Sequence, residues 1–191
     1  MKKVGLLIKP YLCIIFGALL FLIYLNFLTL EGSGLALGIV GLVLAVFYLA
    51  VGIVEIVVGE KLGKPVRLVF EVCCVALFPL FMFVQFLLST IGLADAMGPT
   101  AWTIAVISMA GSLAFAVVFP IAKFVKSKLL TRISFLFGAI FTLVLLLDIL
   151  FDAGGAPTVL GNVSIIVLVL YAIYTAMLFN SFAGKDEAVV E

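Results

Sequence analysis

The chain is a succession of apolar runs, each long enough to cross a bilayer and each cut off by a short polar break. A helix rises 1.5 Å per residue, so about 20 apolar residues span the hydrocarbon core. Six runs meet that length: Pro10–Leu30, Gly34–Val58, Val66–Ile91, Thr100–Lys123, Arg132–Phe151 and Pro157–Phe182. The breaks carry the charge, glycine and proline, as in Glu31-Gly32-Ser33 and Ala94-Asp95-Ala96-Met97-Gly98-Pro99. Pro10 suits the first turn of its helix, and Thr131 is placed to cap the fifth.

Composition agrees. The chain has 191 residues, of which 66% are apolar and 11% charged. A soluble domain carries about 25% charged residues and could not hide this much apolar surface from water. The expectation is an all-α polytopic integral membrane protein. Residues 1–191 form a single transmembrane domain of six helices in three consecutive helical hairpins. No break is long enough for a folded domain outside the membrane. The stretch Tyr11–Leu30 exceeds the 7–15 residues usual for a signal-peptide core and is expected to be a retained helix.

The placement of basic residues orients the chain. With the N-terminus inside, Lys2, Lys3 and Lys9 lie at the inner face. So do Lys61, Lys64 and Arg67 at the second break, Lys123, Lys126, Lys128 and Arg132 at the fourth, and Lys185 in the tail. All eleven basic residues then fall on one side, as the positive-inside rule requires of cytoplasmic segments. Both termini are therefore expected in the cytoplasm, in a plasma membrane of prokaryotic type. Trp102 and Tyr11 fall where interfacial aromatic anchors belong. The outer face is acidic, with a candidate patch of Glu31, Asp95, Asp148 and Asp152. Like charges four residues apart, as at Asp148 and Asp152, repel on a helix. Solvated interfacial carboxylates are the first reading, and a vestibule that gathers cations is the second.

The second run has the most regular pattern. Gly34, Gly38, Gly41, Ala45, Tyr48, Gly52, Glu55 and Gly59 recur at alternating steps of four and three. Such a stripe of small residues lets helix backbones approach closely. Gly34, Gly38, Gly41, Ala45, Gly52 and Gly59 are therefore a candidate packing seam. Ionisable groups at membrane depth are costly and mark function until explained otherwise. The candidate intramembrane polar site is Tyr48, Glu55, Arg67, Glu71 and Gln85. Arg67 stands four residues before Glu71 and can pair with it along the helix. Pro79 withdraws an N–H from the third helix and frees the carbonyl of Val75. Tyr48 and Tyr171 fall near mid-depth, where their hydroxyls need partners.

Little points to a reaction. Histidine is absent, which removes the usual general base and the commonest metal ligand. Cys13, Cys73 and Cys74 all fall in apolar runs, lack the C-x-x-C spacing, and read as core residues. Neither H-E-x-x-H nor G-x-S-x-G occurs. No catalytic residue, metal or cofactor is expected. The expected function is that of a non-enzymatic subunit or accessory component of a membrane complex. The alternative is a small transporter or channel component for a cation or small apolar solute. Expected partners are other membrane subunits or a second copy, with anionic lipid headgroups at the inner basic segments and no nucleic acid.

Overall fold

The computed structural model describes residues 2–93, 99–152 and 165–176. Among them there are six α-helices and no strand. These are α1 Lys2–Leu25, α2 Ser33–Val57, α3 Lys64–Leu93, α4 Pro99–Val125, α5 Lys128–Asp152 and α6 Ile165–Ala176. Short 3₁₀ turns follow α1 at Asn26–Thr29 and α2 at Gly59–Lys61. Four helices are long and apolar enough to cross a membrane, through Ile8–Thr29, Gly34–Val57, Lys64–Leu88 and Trp102–Val125. Leu129–Val144 and Ile165–Ala176 are shorter apolar stretches within the described residues. These features are consistent with an integral membrane protein.

Two boundaries differ from the sequence reading. α1 begins at Lys2, so Pro10 lies inside the helix rather than in its first turn. α5 begins at Lys128, and its cap is Ser127, whose Oγ accepts the Leu130 N–H at 3.3 Å. Thr131 is already helical, and its hydroxyl donates back to the Ser127 carbonyl at 2.8 Å. The turn before α5 holds Lys126 in the left-handed region, at φ 56°.

The closest backbone packing is between α1 and α2, which run antiparallel. α4 packs antiparallel on α5 and also lies against α3. Small residues make the first approach possible. A Cβ on Gly17 would stand 2.9 Å from both the Ala45 carbonyl oxygen and the Leu49 nitrogen. One on Gly52 would reach within 2.7 Å of the Pro10 carbonyl oxygen. The opposite face of α2 is exposed and mostly β-branched, with Ile39, Val40, Val43, Val46, Ile53 and Ile56. In lipid that exposure carries no hydrophobic penalty.

The core centres on four rings from four helices: Phe16 (α1), Tyr48 (α2), Phe78 (α3) and Tyr171 (α6). Phe16 and Tyr48 meet edge-on at 4.7 Å, Phe16 and Phe78 at 5.2 Å, and Phe78 and Tyr171 at 4.8 Å. Such pairs contribute roughly 0.5–1.5 kcal/mol each beyond area burial. A second stack, Phe115, Phe119 and Phe135, joins α4 to α5. Gly138 makes room for it, since a Cβ there would meet the Phe115 ring at 3.0 Å.

Candidate functional site

Two polar side-chain pairs and one aromatic pair join α1 to α3. Lys9 Nζ donates to Glu71 Oε1 at 3.2 Å. Phe16 meets Phe78. Further along, the Tyr24 hydroxyl donates to Gln85 Oε1 at 3.0 Å. These three contacts share a sequence offset of 61 or 62 residues. A constant offset means that α1 and α3 run parallel in a fixed register. The ion pair marks the end bearing the basic residues, and the Tyr24–Gln85 bond marks the other.

The Lys9–Glu71 pair differs from the pairing expected within α3. Arg67 does not take Glu71; its Nη2 donates to the Gly59 carbonyl at 2.9 Å and ties the start of α3 to the end of α2. Lys9 wins because α1 extends two turns below Pro10, which carries Lys9 onto the face shared with α3. The Lys9 and Glu71 side chains are 12% and 16% exposed. Shielding at that level raises the pair above the small worth of a surface ion pair. Glu55 is half-buried beside this cluster, within electrostatic reach of Glu71, Lys9 and Arg67. It makes no hydrogen bond or ion pair with another described residue.

At mid-depth the hydroxyls are spent on the backbone of α3. Tyr171 donates to the Val75 carbonyl at 2.6 Å. This is the carbonyl that Pro79 leaves without its helical partner. Tyr48 donates to the neighbouring carbonyl of Cys74. An unsatisfied carbonyl in hydrocarbon costs several kcal/mol, and a residue 96 positions away supplies the missing donor. Tyr48, Gln85 and Glu55 do not share a cavity. The described interior holds a void of about 10 Å³ lined by Leu12, Cys13, Phe16, Tyr48, Leu170, Tyr171 and Tyr174. That is room for about one water molecule.

The small residues of α2 lie along α1. A Cβ on Gly41 would overlap the Tyr24 ring, and one on Gly38 would stand 2.9 Å from Phe27 Cβ. Gly34 faces Leu30, and Ala45 faces Gly17. Gly59 stands apart from this stripe: it has φ +48° in the turn after α2, with no atom within 4 Å of a Cβ built on it. In the acidic patch, Glu31 is exposed between α1 and α2. Asp95 lies outside the described residues, as do the side chains of Asp148 and Asp152.

Two features of this site were not anticipated from sequence. Gly17 is the single α1 glycine in the seam and belongs to no repeat. Cys13 and Cys74 fall level with one another on α1 and α3, both buried. Their alignment follows from the helix register, which spacing within one run does not encode. Comparison with family models, curated proteins and solved structures finds no match to this chain.

Proposed function

We propose that this chain is a six-span membrane protein of three consecutive hairpins, with both termini in the cytoplasm of a prokaryotic-type plasma membrane. It acts as a non-enzymatic subunit or accessory component of a membrane complex. One observation carries the reading: the polar groups between α1, α2, α3 and α6, Glu55 aside, are spent on one another and on the backbone. Tyr48 and Tyr171 hold carbonyls, Tyr24 holds Gln85, and Lys9 holds Glu71. A void of about 10 Å³ offers no path for a solute. An interior so used supports a body that presents surfaces rather than a conduit. Partners are other membrane proteins or a second copy. Anionic headgroups meet the basic segments Lys61–Arg67 and Lys123–Arg132.

The test is purification from native membranes through a C-terminal tag under gentle solubilisation. A stoichiometric partner, or a defined homo-oligomer, is the expected result. A monodisperse single chain that passes cations when reconstituted in liposomes would overturn it. Such a result would favour the transport reading, for which the uncommitted Glu55 carboxylate is the supporting observation.

A further inference from the structure

We propose that Arg132 holds the phosphate of one anionic phospholipid against the exposed side of α5. This deepens the headgroup contact proposed above. It rests on the chain lying in a bilayer and stands whether or not the chain has a protein partner.

The basic side chains at the inner end divide into two groups. Lys9 is held by Glu71, Arg67 by the Gly59 carbonyl, and Lys123 lies over the Phe119 ring at 5.6 Å. Lys61, Lys64, Lys126 and Arg132 are exposed. Of these, the three lysines stand in turns or at the first residue of a helix, where water reaches them. Arg132 stands within the body of α5.

The two sides of α5 are sharply different. Ser134, Gly138 and Phe141 are buried, with Gly138 against the Phe115 ring of α4. Leu129, Leu136, Ile140 and Leu143 are 68%, 60%, 40% and 57% exposed. At about 100° per residue, Arg132 lies within about 80° of each of these four and opposite the buried three. Leu129 flanks it one turn toward the basic end, and Leu136 flanks it one turn the other way. Arg132 is thus the single charge on an otherwise apolar strip. It makes no hydrogen bond or ion pair with another described residue. A guanidinium left so at membrane depth is costly unless an anion meets it.

The depth selects the anion. Arg132 is five residues past Ser127, so its backbone lies about 7 Å from the turn. The headgroup layer on each side of a bilayer is of similar depth, about 5–7 Å. A helical side chain leaves its backbone tilted toward the helix N-terminus, and α5 begins at the basic end. The Arg132 stem therefore leans back toward the headgroups, as long cationic side chains do at membrane boundaries. There its planar fork of N–H donors matches two oxygens of one phosphate. The leucine strip gives the acyl chain of the same lipid an apolar path. Lys61, Lys64 and Lys126 add uncommitted positive charge at this end, which favours a headgroup without an ammonium of its own.

The full-length protein should be reconstituted in phosphatidylcholine–phosphatidylglycerol vesicles, with ¹³C at the arginine guanidinium carbon. The chain has two arginines, Arg67 and Arg132. In solid-state NMR, one of the two guanidinium signals is expected to dephase against lipid ³¹P. Arg132→Lys should abolish that dephasing, and Arg67→Lys should leave it unchanged. By native mass spectrometry, the parent should retain phosphatidylglycerol about tenfold better than phosphatidylcholine, the scale of a charge-assisted hydrogen bond. Arg132→Gln should remove that preference, whereas Lys61→Gln should change it by no more than about twofold, as for an exposed charge. Dephasing carried by Arg67, or by neither arginine in a protein that floats with the vesicles, overturns the assignment and leaves the membrane reading standing. A protein that does not float with the vesicles sinks both. Equal retention of the two lipids, or equal losses in Arg132→Gln and Lys61→Gln, would reduce the site to general surface charge and overturn it as well.

Discussion

At the scale of single residues, the most consequential bond is the one from Tyr171 to the Val75 carbonyl. Its need was visible in the sequence, since proline at position 79 removes the donor that position 75 relies on. Its donor was not visible, because nothing local to Tyr171 records which carbonyl it will meet. Tyr171→Phe is expected to destabilise the protein by about 1 kcal/mol, measured by denaturation in mixed micelles. In a Pro79→Ala background the helix regains its own N–H, and the same change should cost markedly less. Equal costs in the two backgrounds would show that the hydroxyl does not serve the proline gap. Tyr48→Phe should cost less than Tyr171→Phe, because Cys74 has an ordinary N–H four residues on, at Phe78. Lys126 offers a gain instead. It holds a left-handed conformation that costs a side-chain-bearing residue roughly 1 kcal/mol, so Lys126→Gly should raise the unfolding midpoint.

At the scale of elements, the α1–α2 pair is set by where backbones touch. Gly17→Ala drives a methyl against backbone atoms of α2 that cannot rotate away. Gly52→Ala meets the Pro10 carbonyl in the same way. Each should cost about 1–3 kcal/mol, the usual range for overpacking. Gly63→Ala, with no neighbour nearer than 3.7 Å, should remain within about 0.5 kcal/mol of the parent. If all three behave alike, close approach is not what those glycines provide. The α2 half of this contact was legible because its small residues repeat at helical spacing. The α1 half was not, because one glycine makes no pattern. The same gap explains Glu71. A partner four residues away was available in sequence, but the winning partner lies on another helix, in a turn that Pro10 was expected to exclude.

For the whole molecule, the apolar runs were readable because insertion into lipid imposes length and hydropathy directly on the sequence. Helix neighbours were not readable, because lipid is as apolar as the side chains and association depends on shape and a few bonds. The proposed orientation predicts that a C-terminal reporter active only in the cytoplasm will give full signal, and one active only outside will give none. The reverse pattern would invert the assignment of the basic segments. The two mid-depth bonds onto α3 also bear on how the chain is made. α1, α2 and α3 leave the ribosome before Tyr171, which lies 96 positions after Val75. Until it arrives, Val75 has neither its helical partner nor its tyrosine. A chain stopped short of residue 171 therefore keeps an open carbonyl at the centre of α3, a gap that only the finished molecule closes.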